Sequence, residues 1–430
     1  MSSLILALLS SAPLLHLAVR TSLQDAQPAV LPKAEEILAR LEADGGTPDA
    51  RAKAKNVVIT GTVVVEGLPG EGRIEQIYSG ADRVRWNMGM PGCGDGTQGT
   101  TGAYSWSSDP ALGVTIREGD EQGPVQRQYA VARRAPWKSL YARAETVGRT
   151  KVGGRDVFEL RMIPANGEPE TWLVDAETSR LACSRHTVPD PMGGTIRLSA
   201  WPSDWKEVGG VRYPHTTKLQ FGDPAAAPSP ASFAIVFTVK SIEHPASIAP
   251  ERVSPPAEVL AAYADPTKRT KPAPDKGGEC VKTKIEARPA ATVRVTIPEK
   301  DIASNLAVIL PEVMGYITSV GADMAGPPFT RIHARTGGTV DMEAGFALKK
   351  KVESKGRIQS SELPGGDVAV TWHVGPYDQL EKSYAVLEAW MKEQGLASRG
   401  GHWEVYWTDP GMEPDPKKWR TQILWPVAAK

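Results

Sequence analysis

An internal repeat in the last third of this 430-residue chain constrains its fold more than any other feature. Two segments follow each other at a nearly constant offset, and each reads as a strand, a helix and a second strand. The two predicted helices stop at Gly321 and Gly395, where glycine can take the left-handed conformation that ends a helix. The repeat predicts two such units sharing one sheet with a central cleft. The matched runs are residues 293–298 and 368–373, 312–320 and 386–394, and 328–333 and 402–407.

The two units differ at a polar position of the second strand, where Thr330 in the first unit matches Glu404 in the second. One half of the cleft therefore contributes a hydroxyl and the other an acid. Tyr406 shares the orientation of Glu404 by strand alternation. We expect aromatic neighbours to desolvate the carboxyl group and raise its pKa, which suits a general acid/base or the counter-charge of a cation.

Five ordered motifs in this region are similar to those of GyrI-like (AraC effector-binding) domains. The resemblance implies a small-molecule cleft lined by aromatic side chains, with one glutamate that takes part in binding or, in some members, in catalysis; that glutamate matches Glu404. Ile332 departs from the pattern, since related sequences often carry tyrosine there. The motifs are PPFTRIH (327–333), DMEAGF (341–346), HVGPY (373–377), WEVY with TDP (403–410) and WRT before WPV (419–427).

The predicted ligand-binding residues follow from these motifs and from the acid. Glu404 is also the predicted catalytic residue if the protein is an enzyme. Core packing remains an alternative for several of the aromatic residues, and we assign Tyr384 and Trp390, on the predicted helix, to the core. The ligand-binding set is Glu404, Tyr406, Trp372, Tyr377, Trp403, Trp407 and Phe329.

Residues 32–244 contain a short amphipathic helix followed by many strand-and-turn units, which predicts a curved antiparallel sheet or open half-barrel with helical cover. Together with WLVD (172–175) and WKEVGGVRYPH (205–215), the pattern resembles the LolA/LolB lipoprotein-carrier-like superfamily. Residues 89–102, which include a G-x-G-x-x-G match, are predicted to form a glycine-rich loop, because no helix follows the match to hold a phosphate. The fold class of the whole chain is predicted to be α+β.

Two further segments complete the predicted organisation. Residues 245–290 are rich in proline and predict a semi-extended linker, with a short helix possible at 256–264, so that the GyrI-like domain spans 291–428. Residues 1–26 begin with a long uncharged apolar stretch and predict a signal peptide, hence an extracytoplasmic location in the periplasm or cell envelope. An uncleaved anchor and a cytoplasmic amphipathic start are alternatives. In an oxidising compartment Cys93 and Cys183 can form a disulfide, and the alternative is that Cys93, Cys183 and Cys280 are three unrelated thiols.

Charge and motifs limit the function classes. Lys plus Arg and Asp plus Glu are 50 each, so the protein has no overall electrostatic field that favours nucleic acid. We therefore expect no nucleic-acid partner. Nucleotide, zinc and serine-hydrolase motifs are missing from the sequence, so no cofactor or metal is expected. The leading hypothesis is an extracytoplasmic protein that binds a small amphipathic or cationic molecule, with lipid or lipoprotein as a further partner of the sheet domain. The alternatives are a hydrolase or hydratase in which Glu404 activates water, and an envelope scaffold with vestigial pockets.

Overall fold

The computed structural model describes residues 31–90, 94–190, 195–222, 234–271, 273–410, 413 and 415–429. The predicted signal peptide (residues 1–26) and Cys93 lie outside these residues. The described residues form two large antiparallel sheets with a few helices, which confirms the α+β class. The helices are α1 (Ala34–Asp44), α2 (Pro48–Lys53), α3 (Gly123–Ala132), α4 (Pro250–Val253), α5 (Ala257–Ala264), α6 (Ile302–Ser319) and α7 (Leu380–Glu393).

The N-terminal sheet has 13 strands in the order β6-β5-β4-β3-β2-β1-β13-β12-β11-β10-β9-β8-β7. Helix α1 packs on the strands near one end through Ile37 and Leu38, and helix α3 packs further along through Tyr129. The curved antiparallel sheet with helical cover is thus confirmed. Its strands are β1 (Asn56–Val65), β2 (Gly72–Ser79), β3 (Arg83–Met90), β4 (Gly94–Thr100), β5 (Ser105–Asp109), β6 (Gly113–Arg117), β7 (Arg143–Val152), β8 (Arg155–Ile163), β9 (Glu170–Asp175), β10 (Leu181–Pro189), β11 (Thr195–Val208), β12 (Val211–Phe221) and β13 (Ala234–Glu243).

The C-terminal sheet has the order β14-β19-β22-β21-β16-β17-β15-β18, and β20 pairs with β22. Helix α6 covers β15 and β17, whereas α7 covers β19 and β22, so the central strands β16 and β21 lie between the two helices. Thr330 and Glu404, which match each other in the repeat, are direct cross-strand neighbours. The strands are β14 (Cys280–Ile285), β15 (Arg288–Pro298), β16 (Met324–Thr336), β17 (Thr339–Leu348), β18 (Gln359–Leu363), β19 (Gly366–Val374), β20 (Leu396–Ser398), β21 (Trp403–Tyr406) and β22 (Arg420–Ala429).

Helix α6 with the turn before it, Glu299–Ser319, is long and apolar enough to cross a membrane by length and composition, with a mean hydropathy of 1.2. The same helix buries Ile309, Val313 and Ile317 against the sheet. Its apolar character is therefore used, at least on this face, to cover the first half of the C-terminal sheet.

The prediction of a semi-extended linker over residues 245–290 was wrong for most of the segment, although the short helix expected at 256–264 is present as α5. Helices α4 and α5 lie in this segment, and Val259 and Ala262 of α5 are buried against Trp106 of the N-terminal sheet. Strand β14 pairs with β19 at the edge of the C-terminal sheet. Pro250 and Pro256 misled the prediction because they stand at the starts of these two helices, where a missing N–H costs nothing.

The prediction of a glycine-rich loop over residues 89–102 was also wrong, since β4 pairs with both β3 and β5 there. A side chain at Gly99 would place its Cβ 2.1 Å from the carbonyl oxygen of Val84. Glycine in this strand therefore allows a close approach of backbones instead of flexibility.

Candidate ligand-binding sites

Glu404 lies on the helix-covered face of the C-terminal sheet. Its cross-strand neighbour Ile423 packs with helix α7, and side chains of paired residues point to the same face. Alternation along β21 places Tyr406 on this face and Trp403 on the other. The acid thus sits at the centre of the sheet, between the two helices.

Glu404 is only 5% exposed, and two phenols hold its carboxyl group. Tyr384 of α7 donates a hydrogen bond to one oxygen, and Tyr406 donates to the other at 2.8 Å. Burial raises the pKa of Glu404, whereas the two phenol hydrogen bonds and the nearby positive charge of Arg335 lower it. Burial prevails, so the carboxyl group holds its proton to a higher pH than an exposed glutamate does.

Aromatic rings surround this carboxyl group on two sides. On one side Tyr377 contacts Tyr406 with ring centroids 5.6 Å apart, and it contacts Trp419 at 4.7 Å. On the other side His402 lies between Tyr384 and Trp425, at 4.8 and 4.6 Å. Burial lowers the pKa of His402 to about 4, so this ring is neutral at pH 7. The environment therefore offers several ring faces and one buried acid.

The structure brings only part of the predicted ligand-binding set together. Tyr406 and Tyr377 lie beside Glu404, as described above. Trp403 and Phe329 are instead buried in an apolar cluster on the opposite face of the sheet. Trp372 pairs in register with Gln422, which pairs with Val405, so it also points away from Glu404; it packs against Trp407 at 5.4 Å.

Sequence reasoning missed the most direct partner of the acid, because Tyr384 was assigned to the core. The buried stripe of α7 does include it, together with Leu380, Leu387 and Met391 at helical spacing. A phenol within such a stripe must find a partner for its hydroxyl group, and this was the available signal that Tyr384 bonds to a polar group. The sequence analysis also missed three aromatic neighbours of the acid, because the sequence does not show which strands pair. These neighbours are His402, Trp419 and Trp425.

A second candidate site, named here the sheet cavity, is a space of about 140 Å³ on the concave side of the N-terminal sheet under α3. No residue of it was predicted from sequence. Glu170 lies in its wall and is held from behind: Arg127 Nε lies 2.7 Å from the carboxylate, and Tyr141 donates to it at 2.6 Å. The remaining wall is mainly apolar and includes Ile59, Ile74, Trp86, Trp172, Leu219 and Phe237.

Comparison with protein families identifies the domain that the C-terminal sheet belongs to. Residues 279–428 match the GyrI-like small molecule binding domain. This part of the chain is a GyrI-like domain. It starts earlier than the predicted residue 291 because β14, within the segment taken for a linker, is the edge strand of its sheet. A search of curated proteins found no match to the chain.

Several solved structures are similar to parts of the chain. EcmrR bound to DNA is 23% identical with a TM-score of 0.33, and the match covers 35% of this chain and 58% of that chain. The isolated C-terminal domain of EcmrR gives the same values with 98% of its chain covered. A LolA superfamily protein from Nitrosomonas europaea is 10% identical with a TM-score of 0.35, over 52% of this chain and 99% of that one. These likenesses concern the fold alone.

Proposed function

We propose that this chain is an extracytoplasmic binding protein whose GyrI-like domain captures a small amphipathic cation at Glu404. The observation that carries the proposal is a buried carboxyl group on the central strand, held by two phenols among aromatic rings. Aromatic faces attract cations, and a carboxylate supplies the opposite charge. Because Glu404 is covered, a ligand reaches it only when Tyr384 or Tyr406 moves.

The N-terminal sheet domain supplies a second binding region in this proposal. Its cavity is lined mainly by apolar side chains, which suits an apolar molecule, a lipid or the lipid part of a lipoprotein. The formal net charge of zero argues against a nucleic-acid partner.

The proposed location rests on the apolar start of the sequence. N-terminal sequencing of the protein from fractionated cells tests it. We expect the mature chain to begin near Gln27 in the extracytoplasmic fraction, and a full-length chain in the cytoplasmic fraction would contradict the location.

Calorimetric titration of the full chain with decyltrimethylammonium and with decanol tests the cation site. We expect Glu404→Gln to weaken binding of the cation at least tenfold and to leave binding of decanol unchanged. Glu381→Gln is the matched control, because the side chain of Glu381 is 75% exposed on the same helix as Tyr384. If Glu404→Gln binds the cation as tightly as the unchanged protein, the proposal is wrong.

A hydrolase or hydratase reaction is the second candidate function. The raised pKa of Glu404 favours it, because a carboxylate with a raised pKa is a stronger base and can accept a proton from an attacking water. Incubation with a small electrophile such as styrene oxide distinguishes the two functions. Conversion to the diol that is lost in Glu404→Gln supports catalysis, and recovery of the unaltered compound supports binding alone.

A further inference from the structure

Arg134 occupies a backbone position where glycine is the usual residue. It follows α3 with φ of 64°, in the left-handed region. The N–H of Arg134 bonds to the carbonyl of Val131 at 3.1 Å, and that of Ala135 bonds to the carbonyl of Ala130 at 2.9 Å, which together form a Schellman helix end. An arginine here costs about 1–2 kcal/mol of backbone strain. We therefore expect the Arg134 side chain to make contacts that offset this strain, which glycine could not make.

Part of that role is structural. The guanidinium group lies over the Trp205 ring at 4.6 Å from the centroid, and Nε donates to the carbonyl oxygen of Arg212 at 3.2 Å. These contacts use one face of the group and one N–H. Among the described residues, neither Nη atom of Arg134 has a hydrogen-bond partner, although the residue lines the sheet cavity.

The charges around the cavity do not cancel that of Arg134. Arg127 and Glu170 neutralise each other at 2.7 Å. Burial lowers the pKa of His186, which keeps this lining residue uncharged at pH 7. Asp44 acts on Arg134 through space, but it is itself paired with two other arginines, at 3.1 and 3.2 Å. Within the described part of the chain, no carboxylate oxygen lies within 4 Å of Arg134.

Arg134 nevertheless stays charged. Burial lowers its pKa to about 10, which still leaves the guanidinium group protonated at pH 7. A partly desolvated cation without a counter-ion favours the binding of an anion. The other side of the cavity offers apolar contacts from Ile74, Leu219 and Phe237. A volume of about 140 Å³ has room for on the order of ten water-sized groups, which suits one short chain.

We infer that the sheet cavity binds a single-chain amphiphile with an anionic head, and that Arg134 pairs with the head while the apolar wall holds the tail. This inference rests on the proposed binding of apolar molecules by the N-terminal domain and adds the charge of the ligand. Arg134 is thus the residue that selects an anion over a neutral or cationic amphiphile with the same tail.

Three ligands with the same tail test the inference in calorimetric titrations of the full chain: decanoate, decanol and decyltrimethylammonium. All titrations use the Glu404→Gln background, in which the proposed cation site of the GyrI-like domain is weakened. We expect decanoate to bind at least tenfold more tightly than decanol. In Arg134→Gly we expect that preference to disappear while decanol binds within about twofold of its original affinity.

The variants are chosen so that folding does not confuse the result. Glycine accepts the positive φ at position 134, and Ser179→Gly, with φ of 59° in the unchanged protein, is the matched backbone control. Ser179→Gly should keep the full preference, and Arg134→Lys should keep part of it because the charge remains. Equal binding of decanoate and decanol overturns the inference but leaves the apolar site intact. Absence of binding by all three ligands overturns both.

Discussion

At the scale of single residues, the chemistry of the GyrI-like domain depends on whether Glu404 carries a proton. Its pKa is raised by burial, so the free domain holds a neutral carboxyl group to a higher pH than an exposed glutamate. A bound cation favours the charged form. Binding of a cation and loss of the proton are therefore coupled.

We predict that decyltrimethylammonium binding releases a proton from Glu404. The affinity should rise with pH up to the raised pKa and stay level above it, because the carboxylate is then already formed. Calorimetry in buffers with different ionisation enthalpies measures the released proton. Glu404→Gln should release none, and a pH-independent affinity in the unchanged protein would contradict the coupling.

Replacement of Tyr384 by phenylalanine removes one of the two hydrogen bonds to the buried acid. We expect the free energy of unfolding to fall by about 1–3 kcal/mol, because a buried acceptor loses its partner. Tyr377→Phe is the control, since its hydroxyl makes only a long contact of 3.5 Å to the carbonyl of Thr408 and should cost about 0.5 kcal/mol or less. Urea denaturation measures the free energy of unfolding of both variants. Equal decreases would show that the hydroxyl group of Tyr384 does not stabilise the fold through Glu404.

The residue-scale predictions from sequence succeeded where strand alternation alone decides the outcome. Glu404 and Tyr406 share a face by this rule, and the structure places them so. For Trp372 and Phe329 the face depends on strand pairing, which the local sequence does not contain. Trp403, directly beside the acid in sequence, was grouped with it although alternation sends it to the other face.

At the scale of elements, helix α3 is fixed to the N-terminal sheet by a buried ion pair. Side chains of Arg127 and Glu170 are 10% and 8% exposed. We predict that Arg127→Met lowers the free energy of unfolding by about 3–5 kcal/mol, because it leaves a buried carboxylate without its counter-charge. In the control pair Arg73–Asp95 the side chains are 77% and 69% exposed, so Arg73→Met should cost about 1 kcal/mol at most. Chemical denaturation measures the free energy of unfolding of both variants. Similar decreases for Arg127→Met and Arg73→Met would contradict the proposed role of the buried ion pair.

The segment before β21 runs close to β16. A Cβ at Gly401 would lie 2.0 Å from the carbonyl oxygen of Ile332. We predict that Gly401→Ala destabilises the chain by about 1–3 kcal/mol through this clash. Gly315→Ala, in α6 with no described atom within 4 Å, should instead stabilise by about 0.5–1 kcal/mol, since alanine favours a helix. Thermal denaturation measures the stability of both variants. A change of the same sign for Gly401→Ala and Gly315→Ala would contradict the prediction.

The elements that sequence predicted well are those with a strong internal pattern. The repeat gave both strand–helix–strand units, although α6 and α7 start earlier than the predicted 312 and 386. Strand β4 and helix α4 were misread, because glycine and proline signal loops locally. The short helix expected at 256–264 is present as α5. In the fold, a close approach of backbones requires glycine at Gly99, and Pro250 and Pro256 stand at helix starts.

At the scale of the whole molecule, the chain joins a GyrI-like domain with a buried acid to a curved sheet whose cavity is lined by the half-buried Arg134, which has no carboxylate partner among the described residues. The order of the two regions and their fold class were predictable, because repeats and strand spacing persist over long stretches of sequence. The sheet cavity was not, since its wall comes from strands distant in sequence, such as β1 and β10.

The most direct test of the central claim is a crystal structure of the full chain with decyltrimethylammonium. We predict that the quaternary ammonium group lies beside the Glu404 carboxylate and within about 6 Å of the surrounding tyrosine rings, with Tyr384 or Tyr406 moved from its hydrogen bond. A structure in which both phenols still hold Glu404 and the cation lies elsewhere would contradict the claim.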